Sequence, residues 1–137
     1  MLVHDFVVVP LPCLDLRDRL AAEGPALLAR SVAAVSGDVD VQADAGGVID
    51  GSGAFVVPIG WRAASLATVC DRIQGDLEFF AVDPATSHLQ LLASYTPTGP
   101  GSPSRIEHAR VERFSRAVLG ALARQLQAGV VALPGHG

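Results

Sequence analysis

The sequence predicts an α+β domain: a curved antiparallel β-sheet wrapped around a long C-terminal α-helix, with two short helices after the first strand. Three observations predict it. Apolar residues recur with period 2 through the middle of the chain and with helical period before and after it. The last helical pattern is the longest and carries one broad apolar side, which needs a wide apolar partner. The alternating segments are joined by short turns rich in Gly, Asp and Pro, so successive strands pair antiparallel.

Taken in order, residues 2–9 are rich in Val and Phe and end at Pro10-Leu11-Pro12, a first strand with a stiff exit. Asp15 is placed to cap a short helix over residues 16–23. Gly24-Pro25 then suits the end of one helix and the first turn of the next. The second helix runs over 25–35 with Leu27, Leu28, Val32 and Val35 as its apolar set. Residues 38–44 alternate, with Asp38, Asp40 and Asp44 on one face and Val39, Val41 and Ala43 on the other. Val48-Ile49 begins a short strand, and Asp50-Gly51 signals a hairpin whose turn favours positive φ. Residues 54–61 form the next strand, with Phe55, Val57, Ile59 and Trp61 on one face. Pro58 marks it as an edge strand or a bulge. Residues 62–74 carry no single period and read as strand, helical turn, or both in sequence. Residues 77–82 are strand again. Leu89, Leu91, Ala93 and Tyr95 then alternate with His88, Gln90, Leu92 and Ser94.

A Pro- and Gly-rich turn leads into the final helix, residues 104–127. Ser104 and Glu107 make a capping box, satisfying two backbone N–H groups at its start. Val111, Phe114, Val118, Leu122 and Leu126 share one side of it. At 137 residues the chain reads as one domain, residues 1–137, with residues 128–137 as a loose tail.

Composition excludes several function classes. Half the residues are hydrophobic and 18% are charged, so a disordered chain is excluded. A net charge of -4 and a pI of 5.4 argue against a nucleic-acid partner. There is no Lys, hence no Schiff base and no P-loop lysine. Cys13 and Cys70 share no short motif and read as reduced thiols of a cytoplasmic protein. The first apolar run contains His4 and Asp5, unlike a signal peptide, and no run approaches the roughly 20 residues of a membrane span.

Motifs with chemistry are scarce. Asp38, Asp40 and Asp44 resemble the start of a calcium loop, but Ala43 stands where its central Gly is needed and Ile49 where its Glu is needed. His4, His88, His108 and His136 show no metal-ligand spacing, so neither a metal nor a cofactor is expected. No Gly-x-Ser-x-Gly elbow is present, and no catalytic residue is assigned. The arginines around Glu107 and Glu112 on the last helix read as a solvated face.

A resemblance adds to this reading. Leu91-Leu92-Ala93-Ser94-Tyr95-Thr96-Pro97, then Gly99, then His108, Val111, Phe114 and Leu119 resembles a pattern in small actinobacterial members of the START/Bet v 1-like (SRPBCC, helix-grip) superfamily. Val57-Pro58-Ile59-Gly60-Trp61 followed by Gly75-Asp76-Leu77-Glu78 is similar to the middle strands of the same group. The stretch Ala109-Arg110-Val111-Glu112 departs from it in being less apolar. The resemblance implies a small apolar ligand, lipid, sterol or polyketide-like, bound between sheet and last helix by a carrier or sensor. The expected lining is Phe55, Val57, Trp61, Phe79, Leu91, Tyr95, His108, Phe114 and Val118. A cyclase or aromatase-like enzyme, with His108 or Tyr95 as its acid or base, is one alternative. The other is a structural or interaction module with a filled core, and a homodimer is left open.

Overall fold

The structure, a computed structural model, describes residues 1–37 and 41–131. Its elements are β1 (Leu2–Val9), α1 (Cys13–Ser36), β2 (Gln42–Ala45), β3 (Ile49–Asp50), β4 (Phe55–Arg62), a 3-10 turn (Ala64–Leu66), β5 (Cys70–Asp83), β6 (Thr86–Pro97) and α2 (Arg105–Val131). One antiparallel sheet runs in the order β1-β6-β5-β4-β2, with β3 also on β4. Register aligns its apolar residues in rows across the strands. Trp61, Ile73 and Tyr95 form one row, and Phe55, Phe79, Leu89 and Val7 another. α1 and α2 pack on each other and cover this inner face, α1 over the β2 half and α2 over the β1 half.

The expected fold class holds, with one change in the helices. The two short helices are a single helix of 24 residues with Pro25 inside it. Pro25 leaves the Ala21 carbonyl without its helical donor, but its fixed φ is helical. The buried positions Leu16, Leu20, Gly24, Leu27, Leu28, Ser31 and Val32 keep one stripe through Gly24-Pro25. Burying that stripe as a unit outweighs the lost hydrogen bond. Helix α1 starts at Pro12 without a side-chain cap, and Asp15 sits in its first turn rather than at the cap. Gly37 ends it in the left-handed conformation, its N–H bonded to the Ala33 carbonyl at 2.8 Å.

Strand β5 is longer than the expected residues 77–82. It begins at Cys70, within the segment 62–74 that has no sequence period, and runs for 14 residues to Asp83. Register shifts between Cys70 and Ile73 and between Ala81 and Asp83 break the alternation that would have revealed it. Pro58 lies inside the sheet, opposite Asp76 of β5. On its other side β2 has ended at Ala45 and β3 has not begun, and the Pro58 carbonyl takes the Gly46 N–H at 2.8 Å. The proline thus interrupts no ladder. The positive φ of the β3–β4 hairpin falls on Gly53, not Gly51. The capping box forms as expected: Glu107 N–H donates to Ser104 Oγ at 3.1 Å and Ser104 N–H to Glu107 Oε1 at 2.9 Å. Helix α2 continues through residues 128–131, where the tail was expected to begin. Residues 132–137, and the Asp38 and Asp40 part of the expected alternating strand, lie outside the described residues.

Strand β1 is an edge, and its outer face carries exposed Leu2, Phe6 and Val8. Phe6 N–H donates to Asp5 Oδ1 at 2.8 Å, while Asp5 Oδ2 accepts from Arg116 Nε at 2.7 Å. A side chain thus occupies a donor that another strand would use. Asp5→Ala is expected to raise the mean mass in light scattering over that of the wild type as concentration increases. An unchanged mass would show that this contact does not guard the edge.

Candidate functional site

Most of the expected lining residues are packed core. Val57 and Phe79 are 0% exposed, Trp61 1%, and Leu91 and Val118 2%. They have almost no surface, outer or inner, that water could touch, so they meet one another and the helices rather than an open space. Phe55 is half-buried, stacked on Phe79 at 5.3 Å with the Arg17 guanidinium 5.8 Å from its ring centre. The cause is α1, whose unbroken buried stripe lies beside α2 on the sheet and occupies the concave side. Among the described residues, two polar side-chain atoms are buried in this core without a hydrogen-bond partner, Trp61 Nε1 and Ser115 Oγ.

Tyr95 and His108 come together. The Tyr95 hydroxyl lies 2.6 Å from His108 Nδ1, with the rings stacked at 5.7 Å. His108 Nε2 lies 3.5 Å from a Glu112 carboxylate oxygen. Helix spacing puts His108 and Glu112 on one side of α2, and the β6 register puts Tyr95 beneath them. The result is a line of proton-carrying groups from the half-exposed Glu112 to the buried Tyr95. Burial pushes the Tyr95 hydroxyl above the usual tyrosine range, and the charges of Cys70, Glu112 and Glu107 add to that. The neighbouring Cys70 thiol is also raised, first by burial and then by Asp71. Tyr95 is the single tyrosine of the chain, so its titration can be read directly. The tyrosinate absorbance of the native protein is expected to rise at higher pH than that of the urea-unfolded chain. The sign follows from linkage. The folded state holds this proton more tightly, so its contribution to stability is full below the unfolded value of about 10 and is lost as pH rises above it. A native midpoint at or below the unfolded one would refute the buried hydroxyl.

An open cleft of about 370 Å³ lies near these groups in the chain, where α2 meets the end of α1 and the 3-10 turn. Val35, Leu66, Phe114 and Ala117 make its apolar floor, and Arg110 and Arg113 stand on its rim with Ser36 and Ser65. Arg110 Nη2 donates across it to the Ser65 carbonyl at 3.1 Å. A larger groove of about 490 Å³ lies on the sheet around the Arg72–Asp44 ion pair, with a lining about as polar as it is apolar. Of the expected lining residues only Phe114 reaches the cleft. Among the described residues no cluster of His, Cys, Asp or Glu could hold a metal ion.

Several solved structures share this fold over nearly the whole chain. Ara h 8.0201 superposes with a TM-score of 0.58 at 11% identity, covering 93% of this chain and 98% of that one. The ZhuI aromatase/cyclase from Streptomyces sp. R1128 gives 0.55 at 18% identity, with 95% of each chain covered. A conserved protein from Geobacillus kaustophilus gives 0.61 at 8% identity, covering 93% of this chain and 96% of that one. The fold is START/Bet v 1-like. No protein-family model matches the sequence, and no curated protein matches it. Among the described residues no helix is long and apolar enough to cross a membrane.

Within this helix-grip fold the sequence reading missed the cleft. Arg110, Arg113, Phe114 and Ala117 fall at i, i+3, i+4 and i+7 on α2, one side of the helix. A stripe that mixes two arginines with an aromatic and a small residue, and holds no carboxylate, was the available signal. The other wall comes from residues 35–36 and 65–66, which no local pattern links to it.

Proposed function

We propose that this protein binds a small apolar molecule in the cleft between α2, the end of α1 and the 3-10 turn, as a carrier or sensor. The observation that carries the reading is the apolar floor of Val35, Leu66, Phe114 and Ala117 in a cleft of about 370 Å³. That volume lies within the usual range of small-molecule sites. Phe114 is the contact residue. Phe55, Val57, Trp61, Phe79, Leu91, Tyr95, His108 and Val118 do not line the cleft and take no direct part in this site. A lipid, sterol or polyketide-like molecule fits this chemistry, and we place the protein in the cytoplasm, where Cys13 and Cys70 stay as free thiols. Native mass spectrometry of the purified protein is expected to show an apolar adduct that Phe114→Glu removes while circular dichroism stays native. An adduct retained in full by that variant would overturn the cleft as the site.

The Tyr95–His108 contact favours a second reading, an aromatase/cyclase-like enzyme in which this pair moves a proton. It requires turnover of a polyketide-type substrate that both Tyr95→Phe and His108→Gln abolish. Turnover retained in both variants would end it.

A further inference from the structure

We infer that the ligand of the cleft is an amphipathic carboxylate, its apolar body on Phe114 and its charged head on Arg113 and Arg110. The inference rests on the cleft being the ligand site. The described lining contains two guanidinium groups and no carboxylate, in a chain whose net charge is -4. The rim therefore reverses the charge of the molecule where the apolar floor is open.

These two arginines also differ from most of the others. Arg17, Arg19, Arg62, Arg72 and Arg116 each lie in an ion pair. Among the described residues Arg110 and Arg113 lie in none. Arg30, Arg105 and Arg124 share that property but do not line this cleft. Arg110 is steadied by its bond to the Ser65 carbonyl, which uses one of its five N–H donors. Arg113, one turn further along α2, keeps a planar fork suited to a carboxylate's two oxygens. An inorganic anion would leave the floor uncovered, and a neutral apolar molecule would leave the rim without a counter-charge. A molecule with both parts answers both.

Calorimetric titration with decanoate, decanol and acetate tests this. Decanoate is expected to bind about 10-fold tighter than decanol, the scale of one charge-assisted hydrogen bond at a partly exposed site. Acetate, lacking the body, is expected not to bind measurably. The double variant Arg110→Gln with Arg113→Gln should weaken decanoate to the level of decanol and leave decanol unchanged. Equal binding of decanoate and decanol by the wild type, or a preference that survives the double variant, overturns the charged head while the apolar site stands. Acetate binding as tight as decanoate overturns the amphipathic assignment. Binding of neither decanoate nor decanol, or decanol binding untouched by Phe114→Ala, overturns the cleft and the inference with it.

Discussion

Gly75→Ala is expected to destabilise the protein by about 2 kcal/mol or more, the upper part of the range for overpacking a tight contact. A Cβ on Gly75 would collide with the Leu92 carbonyl oxygen and lie 2.5 Å from Ala93 Cα. Both are backbone atoms of β6, paired with β5 at this point, and cannot rotate away. Gly75 is paired directly with Ala93, and its lack of a side chain is what leaves room for so close an approach. The sign is diagnostic. Where a backbone tolerates alanine, Gly→Ala stabilises by about 0.4–1 kcal/mol through the unfolded state. Gly47 is the internal control: a Cβ there would meet nothing within 4 Å, and its φ is not positive. Gly47→Ala should be neutral or slightly stabilising in urea unfolding. Equal midpoints for the two variants would mean that β5 and β6 are not held together at Gly75.

Gly75 also shows where sequence reading stops. In the sequence it stands before an apolar alternation and reads as a boundary. In the structure it lies inside a strand of 14 residues. What was legible was local: the alternation of residues 55–61 and 89–95, and the Ser104–Glu107 box, each depend on neighbours in the chain. What was not legible depends on distant partners. Gly24-Pro25 fails to break α1 because the stripe on either side of it is buried as one unit. On α2, Ser115 is fully buried while Phe114 is only half-buried, the reverse of what side-chain polarity suggests. Polarity cannot see that the helix turns Phe114 toward the cleft. The cleft itself joins three segments far apart in sequence, so its arginines looked like any solvated face.

Phe79→Ala is expected to cost about 3–5 kcal/mol in urea unfolding, the range for truncating a fully buried aromatic side chain. Phe79 is 0% exposed and lies between Phe55 of β4 and Leu89 of β6 in one inner row. The size of the loss separates two accounts of this interior. If Phe79 lined an empty ligand cavity, part of its ring would already lack neighbours, and truncation would forfeit fewer contacts. If the interior is filled, the full ring is packed, and its removal leaves a void with no atoms to occupy it. The same variant should then gain what the wild type lacks there, a dry apolar hole that takes up xenon or benzene. Phe114→Ala provides the contrast. That ring is half-buried at the cleft, so truncation should cost less than half as much stability while weakening binding of apolar probes. A small loss at Phe79 together with lost ligand binding would move the site back between sheet and helix. A large loss at Phe79 with binding sensitive only at Phe114 assigns the interior to stability and the cleft to function.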